Sequence, residues 1–247
     1  MKNFLHTCAV ILCSIPLGLY LIFIAICCLF VKNKQYEKDN KFYRFLLDSL
    51  TAWLLWYLGV KIRVEGKEIV PQDERFVLVG NHVSNFDSIV TWRVLRKEEL
   101  AYLSKASNFK IPFFGKLVRK CCFLEIDREN PRNAVKTVEK AAELIKKDEV
   151  SIGVYPEGTR AKDGVMLPFH NAMFKIAQRG DAPLVVCAVC GTNEIHKHAP
   201  WRLTYVDLHF IEVIGKEEVK EMRTSEIGER VKAKIQRVIE NTEEKTV

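Results

Sequence analysis

From Phe4 to Val31 no residue carries a formal charge. As a helix this stretch is ~42 Å long at 1.5 Å per residue, longer than the ~30 Å hydrocarbon core of a bilayer. It is too long for a signal-peptide core, and no small-residue cleavage site followed by mature-like sequence is evident, so it is read as retained. Pro16 and Gly18 near its middle can kink it. Lys32, Lys34, Lys38 and Lys41 follow it while Lys2 precedes it, a bias that places the C-terminal side in the cytosol. A second apolar helix is expected over 42–60. Phe45, Leu46, Leu47, Leu50, Leu54, Leu55 and Leu58 cover nearly every face of it, and Trp53, Trp56 and Tyr57 suit a membrane interface. Residues 1–60 are therefore expected to form a two-helix membrane anchor; the alternative for the second helix is a core helix of the following domain. The anchor either spans through its first helix or sits as a hairpin in one leaflet. The hairpin keeps Arg44 and Asp48 away from the bilayer centre, where each costs ~2.5–3.5 kcal/mol.

Residues 61–247 read as one α/β domain. Strand patterns fall at 61–64, 76–79, 101–104, 122–126, 150–155, 184–189 and 203–213. Helices lie between many of them. One begins with Asn130 as cap and Pro131 at its first position, with Ala134, Val135, Val138, Ala141, Ala142 and Ile145 on one stripe. Others are expected over 170–179, ended by Gly180, and over 225–240. Strands alternating with helices predict a mixed, largely parallel sheet flanked by helices. Ligand sites in such sheets gather at the C-terminal ends of the strands.

The chain has 247 residues, of which 48% are apolar, enough for a real core, and a formal net charge of +7. The charge points to an anionic partner: nucleic acid, a headgroup surface or an acidic carrier. No nucleic-acid-binding module is recognisable, so no nucleic-acid partner is expected. Of eight cysteines, Cys121, Cys122, Cys187 and Cys190 read as reduced thiols rather than a disulfide framework. Cys187 and Cys190 fit a CxxC spacing, but positions i and i+3 of a strand face opposite ways, so no metal site is expected. His196 and His198 read as solvated loop residues.

Asn81-His82-Val83-Ser84-Asn85-Phe86-Asp87 directly follows an apolar strand pattern. A carboxylate that accepts the imidazole Nδ1–H leaves Nε2 free to take a proton, so His82 and Asp87 can form a base. On a continuous helix the two diverge by ~140°, so the chain must turn between them. Ser84 to Asp87 also reads as an ordinary helix cap with an acid at its third position, which leaves His82 as a surface loop residue. His82, Arg128 and Glu157 each follow a predicted strand.

Three later blocks join the first: Ile126-Asp127-Arg128, Tyr155-Pro156-Glu157-Gly158-Thr159-Arg160, and Ala182-Pro183-Leu184-Val185-Val186. In this order, with Lys105 and Ile111-Pro112-Phe113-Phe114-Gly115 between them, they resemble the glycerolipid acyltransferase family, and more narrowly its 1-acyl-glycerol-3-phosphate acyltransferases. The chain departs from that pattern at Tyr155, where Phe is usual, at Val186, near which a second Pro is expected, and at His170 and Ala172, where Lys and Gly are frequent. The resemblance implies transfer of a fatty acyl group from acyl-CoA or acyl-carrier protein to lysophosphatidic acid at a membrane, with no other cofactor. It implies His82 and Asp87 as the catalytic pair, since a hydroxyl is a poor nucleophile until a base takes its proton. Lys105, Arg128 and Arg160 are implied as ligands of the acceptor phosphate, and Glu157, Gly158 and Thr159 as residues shaping the pocket. The expected site is a cell membrane with the catalytic domain on its cytoplasmic face. Alternatives are an enzyme using glycerol-3-phosphate or another lysophospholipid, or a catalytically silent lipid-binding protein. A hydrolase is disfavoured, because no Gly-x-Ser-x-Gly elbow is present.

Overall fold

Val77, Leu78 and Val79 are fully covered because their strand lies in the middle of the sheet. The computed structural model describes residues 2–127, 130–161 and 165–244. Within them the strands are β1 (Val60–Glu65), β2 (Val77–Val79), β3 (Leu100–Lys105), β4 (Leu124–Ile126), β5 (Ser151–Val154), β6 (Leu184–Cys190) and β7 (Thr204–Ile214). The helices are α1 (Lys2–Leu29), α2 (Lys41–Tyr57), α3 (Phe86–Val94), α4 (Ala106–Phe109), α5 (Phe114–Lys120), α6 (Pro131–Lys146), α7 (Lys175–Gly180), α8 (Ile195–His198), α9 (Lys216–Glu221) and α10 (Thr224–Glu244).

The strands form one sheet in the order β1-β7-β6-β2-β5-β3-β4. Neighbours run parallel except β6 and β7. The expected mixed, largely parallel sheet flanked by helices is thus present. Each predicted strand is found, most with ends shifted by one residue; β4 loses two and starts at Leu124, since Cys122 sits at φ +61° and breaks extended pairing. The cap of α6 forms as read, Asn130 accepting from the backbone N–H groups of Arg132 and Asn133.

Register fixes what meets above the sheet. Val79 of β2 pairs with Val154 of β5 on one side and Val186 of β6 on the other. His82 and Glu157 each lie three residues beyond that line, so the two loops leave the sheet at one level. Gly153 makes room for Tyr102, whose Cε1 would lie 2.3 Å from a Cβ placed there.

Among the described residues one helix is long and apolar enough to cross a membrane: Leu5–Leu29 has a mean hydropathy of 2.6 and is 11% buried. Helix α2 is shorter and lays one face on the catalytic domain. Leu47 and Leu55 join the main core, and Arg44 is buried. The Arg44 guanidinium donates to both oxygens of Asp39 at 2.9 and 2.7 Å and to the Leu100 carbonyl at 3.0 Å, and it lies over the Trp92 ring at 4.8 Å. A charged residue inside an apolar helix was here a docking pin for a soluble core. The opposite face of α2 leaves Phe42 and Phe45 exposed.

Helix α1 runs antiparallel along α2. Tyr43 donates its hydroxyl to the Cys27 carbonyl at 3.1 Å, the Tyr20 and Ser49 hydroxyls are hydrogen-bonded, and the His6 and Trp56 rings meet edge to face at 5.9 Å. Its far side exposes Leu12, Ile15, Leu19 and Ile22.

Candidate active site

The segment Asn81–Asp87 turns because its polar groups are tied at both ends. Asn81 is buried and bridges to β6, its amide donating to the Val189 carbonyl at 2.9 Å and its oxygen accepting the Val189 N–H at 2.8 Å. At the other end Asp87, in the first turn of α3 and fully buried, reaches back along the chain. Its Oδ2 accepts the backbone N–H of Val83 and of Ser84, each at 2.8 Å, and contacts His82 Nδ1 at 2.8 Å. The helix starts one residue later than read, with Asn85 in the cap position and no side-chain cap bond. The acid that closes the first turn of α3 also holds the imidazole. Ser84 Oγ accepts the Phe86 N–H at 3.3 Å, as a turn residue and not as a nucleophile.

Because Nδ1 faces a carboxylate, it carries the ring proton and Nε2 is left as the basic nitrogen. The His82 side chain is 16% exposed and lines a cavity of about 610 Å³. Its other face stacks on Tyr155, ring centroids 4.5 Å apart and 16° from parallel. The Tyr155 and Tyr102 hydroxyls both reach Thr91 Oγ1, at 3.2 and 2.6 Å, and Thr91 donates to the Asp87 carbonyl at 2.8 Å. Burial pushes both phenols up, so they stay neutral and act as hydrogen-bond donors.

Glu157 has a structural role at this site. Its Oε1 accepts the His82 N–H at 2.6 Å and its Oε2 the Leu167 N–H at 2.9 Å, so it does not bridge to Arg160. Burial pushes its carboxyl up and the two backbone bonds oppose that. The turn continues through Gly158 at φ +69°, where a Cβ would strike the His170 ring at 2.8 Å. Gly158, Thr159 and Arg160 all line the cavity, as does Lys105 at the end of β3. Lys105 and Arg160 are exposed there, opposite no acidic partner among the described residues. Arg128 lies outside the described residues. Ile111, Phe114 and Val118, with Val135 and Val138 of α6, give the cavity an apolar lining.

Sequence reasoning missed two members of the site. Thr91 and Thr192 carry no motif of their own. Thr192, after β6, is fully buried and donates its hydroxyl to Asp87 Oδ1. The rule that sites gather at strand ends pointed to it, since Gly191-Thr192 directly follows β6. Among the described residues no group of three or more His, Cys, Asp or Glu can hold a metal ion, and Cys187 is buried with its thiol pushed up by burial. His198 contacts Thr204.

His82, paired with Asp87, lines a largely apolar cavity that Lys105 and Arg160 line as well. Residues 61–190 match the family model described as Acyltransferase, and the chain belongs to that family. It is similar to the 1-acyl-sn-glycerol-3-phosphate acyltransferase of Bacillus subtilis, 31% identical over 198 residues that cover 77% of this chain and 95% of that protein. It is also similar to the protein of that name from Cocos nucifera, 32% identical over 149 residues, 60% of this chain and 46% of the other. The chain thus spans about half the length of the first curated relatives it matches. A solved structure, that of the 1-acyl-sn-glycerophosphate acyltransferase PlsC from Thermotoga maritima, shares the fold with a TM-score of 0.71 at 22% identity, covering 98% of this chain and 96% of that one.

Proposed function

We propose that the protein transfers a fatty acyl group from an acyl thioester to the sn-2 hydroxyl of 1-acyl-glycerol-3-phosphate, giving phosphatidic acid. The observation that carries this reading is the 2.8 Å contact of His82 Nδ1 with a buried Asp87, in a histidine that lines the apolar cavity and keeps Nε2 free of that contact. The acceptor hydroxyl gives its proton to Nε2 as its oxygen attacks the thioester carbonyl. Asp87 stabilises the imidazolium that forms. When the tetrahedral intermediate collapses, the C–S bond breaks and the leaving thiolate takes the proton back from Nε2. No acyl-enzyme is required. Lys105, Arg128 and Arg160 bind the acceptor phosphate, and Glu157, Gly158 and Thr159 hold the loop that carries Arg160. The apolar wall receives the acyl chains.

Residues 1–60 seat this domain on the cytoplasmic face of a cell membrane. The antiparallel packing of α1 on α2, and the pinning of α2 by Arg44, support a hairpin in one leaflet. In that pose the exposed apolar face of α1 meets lipid, with the cavity at headgroup level. Acyl transfer by the purified full chain, assayed with lysophosphatidate and with glycerol-3-phosphate, each with acyl-CoA and with acyl-carrier protein, tests the reaction. Phosphatidic acid from lysophosphatidate is the expected product with at least one donor. Transfer confined to glycerol-3-phosphate, or none with any pair, rules the assignment out.

A further inference from the structure

Asp87 has two oxygens, and only one of them serves His82. The Oδ2 atom takes His82 Nδ1 and the backbone N–H groups of Val83 and Ser84, all three from its own loop. The Oδ1 atom is taken by Thr192 Oγ1, from the turn after the neighbouring strand β6 and 105 residues on. We infer that Thr192 is a positioning residue for the His–Asp pair, acting through Asp87; this rests on the function proposed above.

The geometry gives the hydroxyl one task. A carboxylate held at one oxygen can still turn about its Cβ–Cγ bond; a second tether on the other oxygen fixes its plane, and with it the direction of the lone pair aimed at Nδ1. The tether is itself held. Thr192 is fully buried and begins a tight turn directly after Gly191, whose φ of +84° lets the chain reverse at the end of β6. Asn81 clamps that end of β6 to the end of β2 through both polar groups of Val189, so the spacing between the Thr192 turn and the His82 loop is fixed by two hydrogen bonds. Asp87 is completely removed from water, so no solvent molecule takes the place of the hydroxyl without the site opening.

The same contact tunes charge. A donor on Oδ1 draws negative charge away from Oδ2. Removing the Thr192 hydroxyl is therefore expected to let Asp87 stabilise the His82 imidazolium more. The other titratable groups facing this carboxylate are Cys187 on β6, Tyr102 on β3, Tyr155 after β5, and Glu157, which reaches the site through the His82 N–H. The thiol and both phenols are pushed up by burial and remain neutral, so they do not compete for this role.

The test compares Thr192→Val, which keeps the shape and removes the donor, with Thr192→Ser, which keeps the donor. Turnover is normalised to folded protein. Thr192→Val is expected to lower kcat about 3- to 10-fold at the alkaline plateau, with KM for both substrates unchanged, as for a loss of orientation alone. Its acidic limb in kcat/KM moves to higher pH. Thr192→Ser restores both. The His82 ring, followed by NMR titration of the detergent-solubilised protein without substrate, gives the same answer independently of the reaction. Its midpoint rises by about half a pH unit or more in the Val variant and returns in the Ser variant. If Thr192→Val does not fold, Thr192→Ala replaces it. A folded donor-free variant with an unmoved His82 titration overturns the inference, even if acyl transfer is confirmed. A moved titration in a protein that transfers no acyl group upholds the coupling and refutes the reaction instead.

Discussion

Replacing Asp87 separates its structural task from its chemical one. Four donors converge on its carboxylate: the Val83 and Ser84 N–H groups, His82 Nδ1 and Thr192 Oγ1. Asp87→Ala strands those that water cannot reach. Two or three buried donors without partners, at about 1–3 kcal/mol each, amount to about 2–9 kcal/mol. That is comparable with the whole stability of a domain, about 5–15 kcal/mol, so this variant should be largely unfolded or strongly destabilised. Asp87→Asn behaves differently. Two backbone N–H groups point at the Oδ2 position, so the amide oxygen must take that place and the NH₂ group turns to Thr192, whose hydroxyl can accept. His82 Nδ1 therefore still meets an acceptor and keeps its tautomer; only the charge is lost. A hydrogen bond to a charged group is worth about 1.5–3 kcal/mol, so kcat should fall about 10- to 100-fold. Thermal melts of both variants, with acyl transfer measured per folded molecule, check this. An Asp87→Ala protein as stable as the wild type, or an Asp87→Asn protein with undiminished kcat, would refute the reasoning.

Three further outcomes follow from contacts elsewhere. Arg44→Ala leaves the buried Asp39 carboxylate with only Lys41, 3.7 Å away, and should cost about 3 kcal/mol in a denaturant titration; a loss under about 1 kcal/mol would mean that α2 is not pinned to the domain as described. Lys105→Ala or Arg160→Ala should raise KM for lysophosphatidate well above any change toward the thioester donor, and an equal loss with a monoacylglycerol acceptor would assign these cations to folding. Glu212 is pushed up by burial, but hydrogen bonds from Arg230 and Lys234 outweigh this and hold its carboxyl below the usual range. A depressed carboxylate stabilises the fold above its unfolded pKa of ~4.3 and loses that contribution as pH falls through its folded value. Glu212→Gln should therefore lower Tm at pH 7 and approach the wild type as pH drops below ~4; a difference that widens in acid contradicts the ion-pair account.

The strands and the larger helices were legible because each carries a local pattern: apolar runs for β2, β5 and β6, and for α6 a cap at Asn130 and a single apolar stripe. The His–Asp pair was legible for the same reason, since one loop holds both ends of it. What sequence could not carry was contact across the sheet. Thr192 and Asn81 act on residues more than a hundred positions away, and their placement depends on β2 and β6 being neighbours. Which face of α2 meets the domain was not legible, because an apolar helix looks the same whether it faces lipid or a core; the partners of Arg44, at Asp39 and Leu100, mark that face. Glu157 looked like a partner for Arg160 by proximity in sequence, and register gave it to the His82 backbone instead.

The central claim is that His82 Nε2 takes the acceptor's proton. It is tested most directly by the turnover of His82→Ala in the full chain, with lysophosphatidate and the donor the wild type prefers, at matched folded fraction. The account predicts a loss of at least ~10²-fold in kcat per folded molecule, beyond any loss of stability from the missing Asp87 bond and Tyr155 stack. A folded His82→Ala protein that still forms phosphatidic acid at close to the wild-type rate would contradict it.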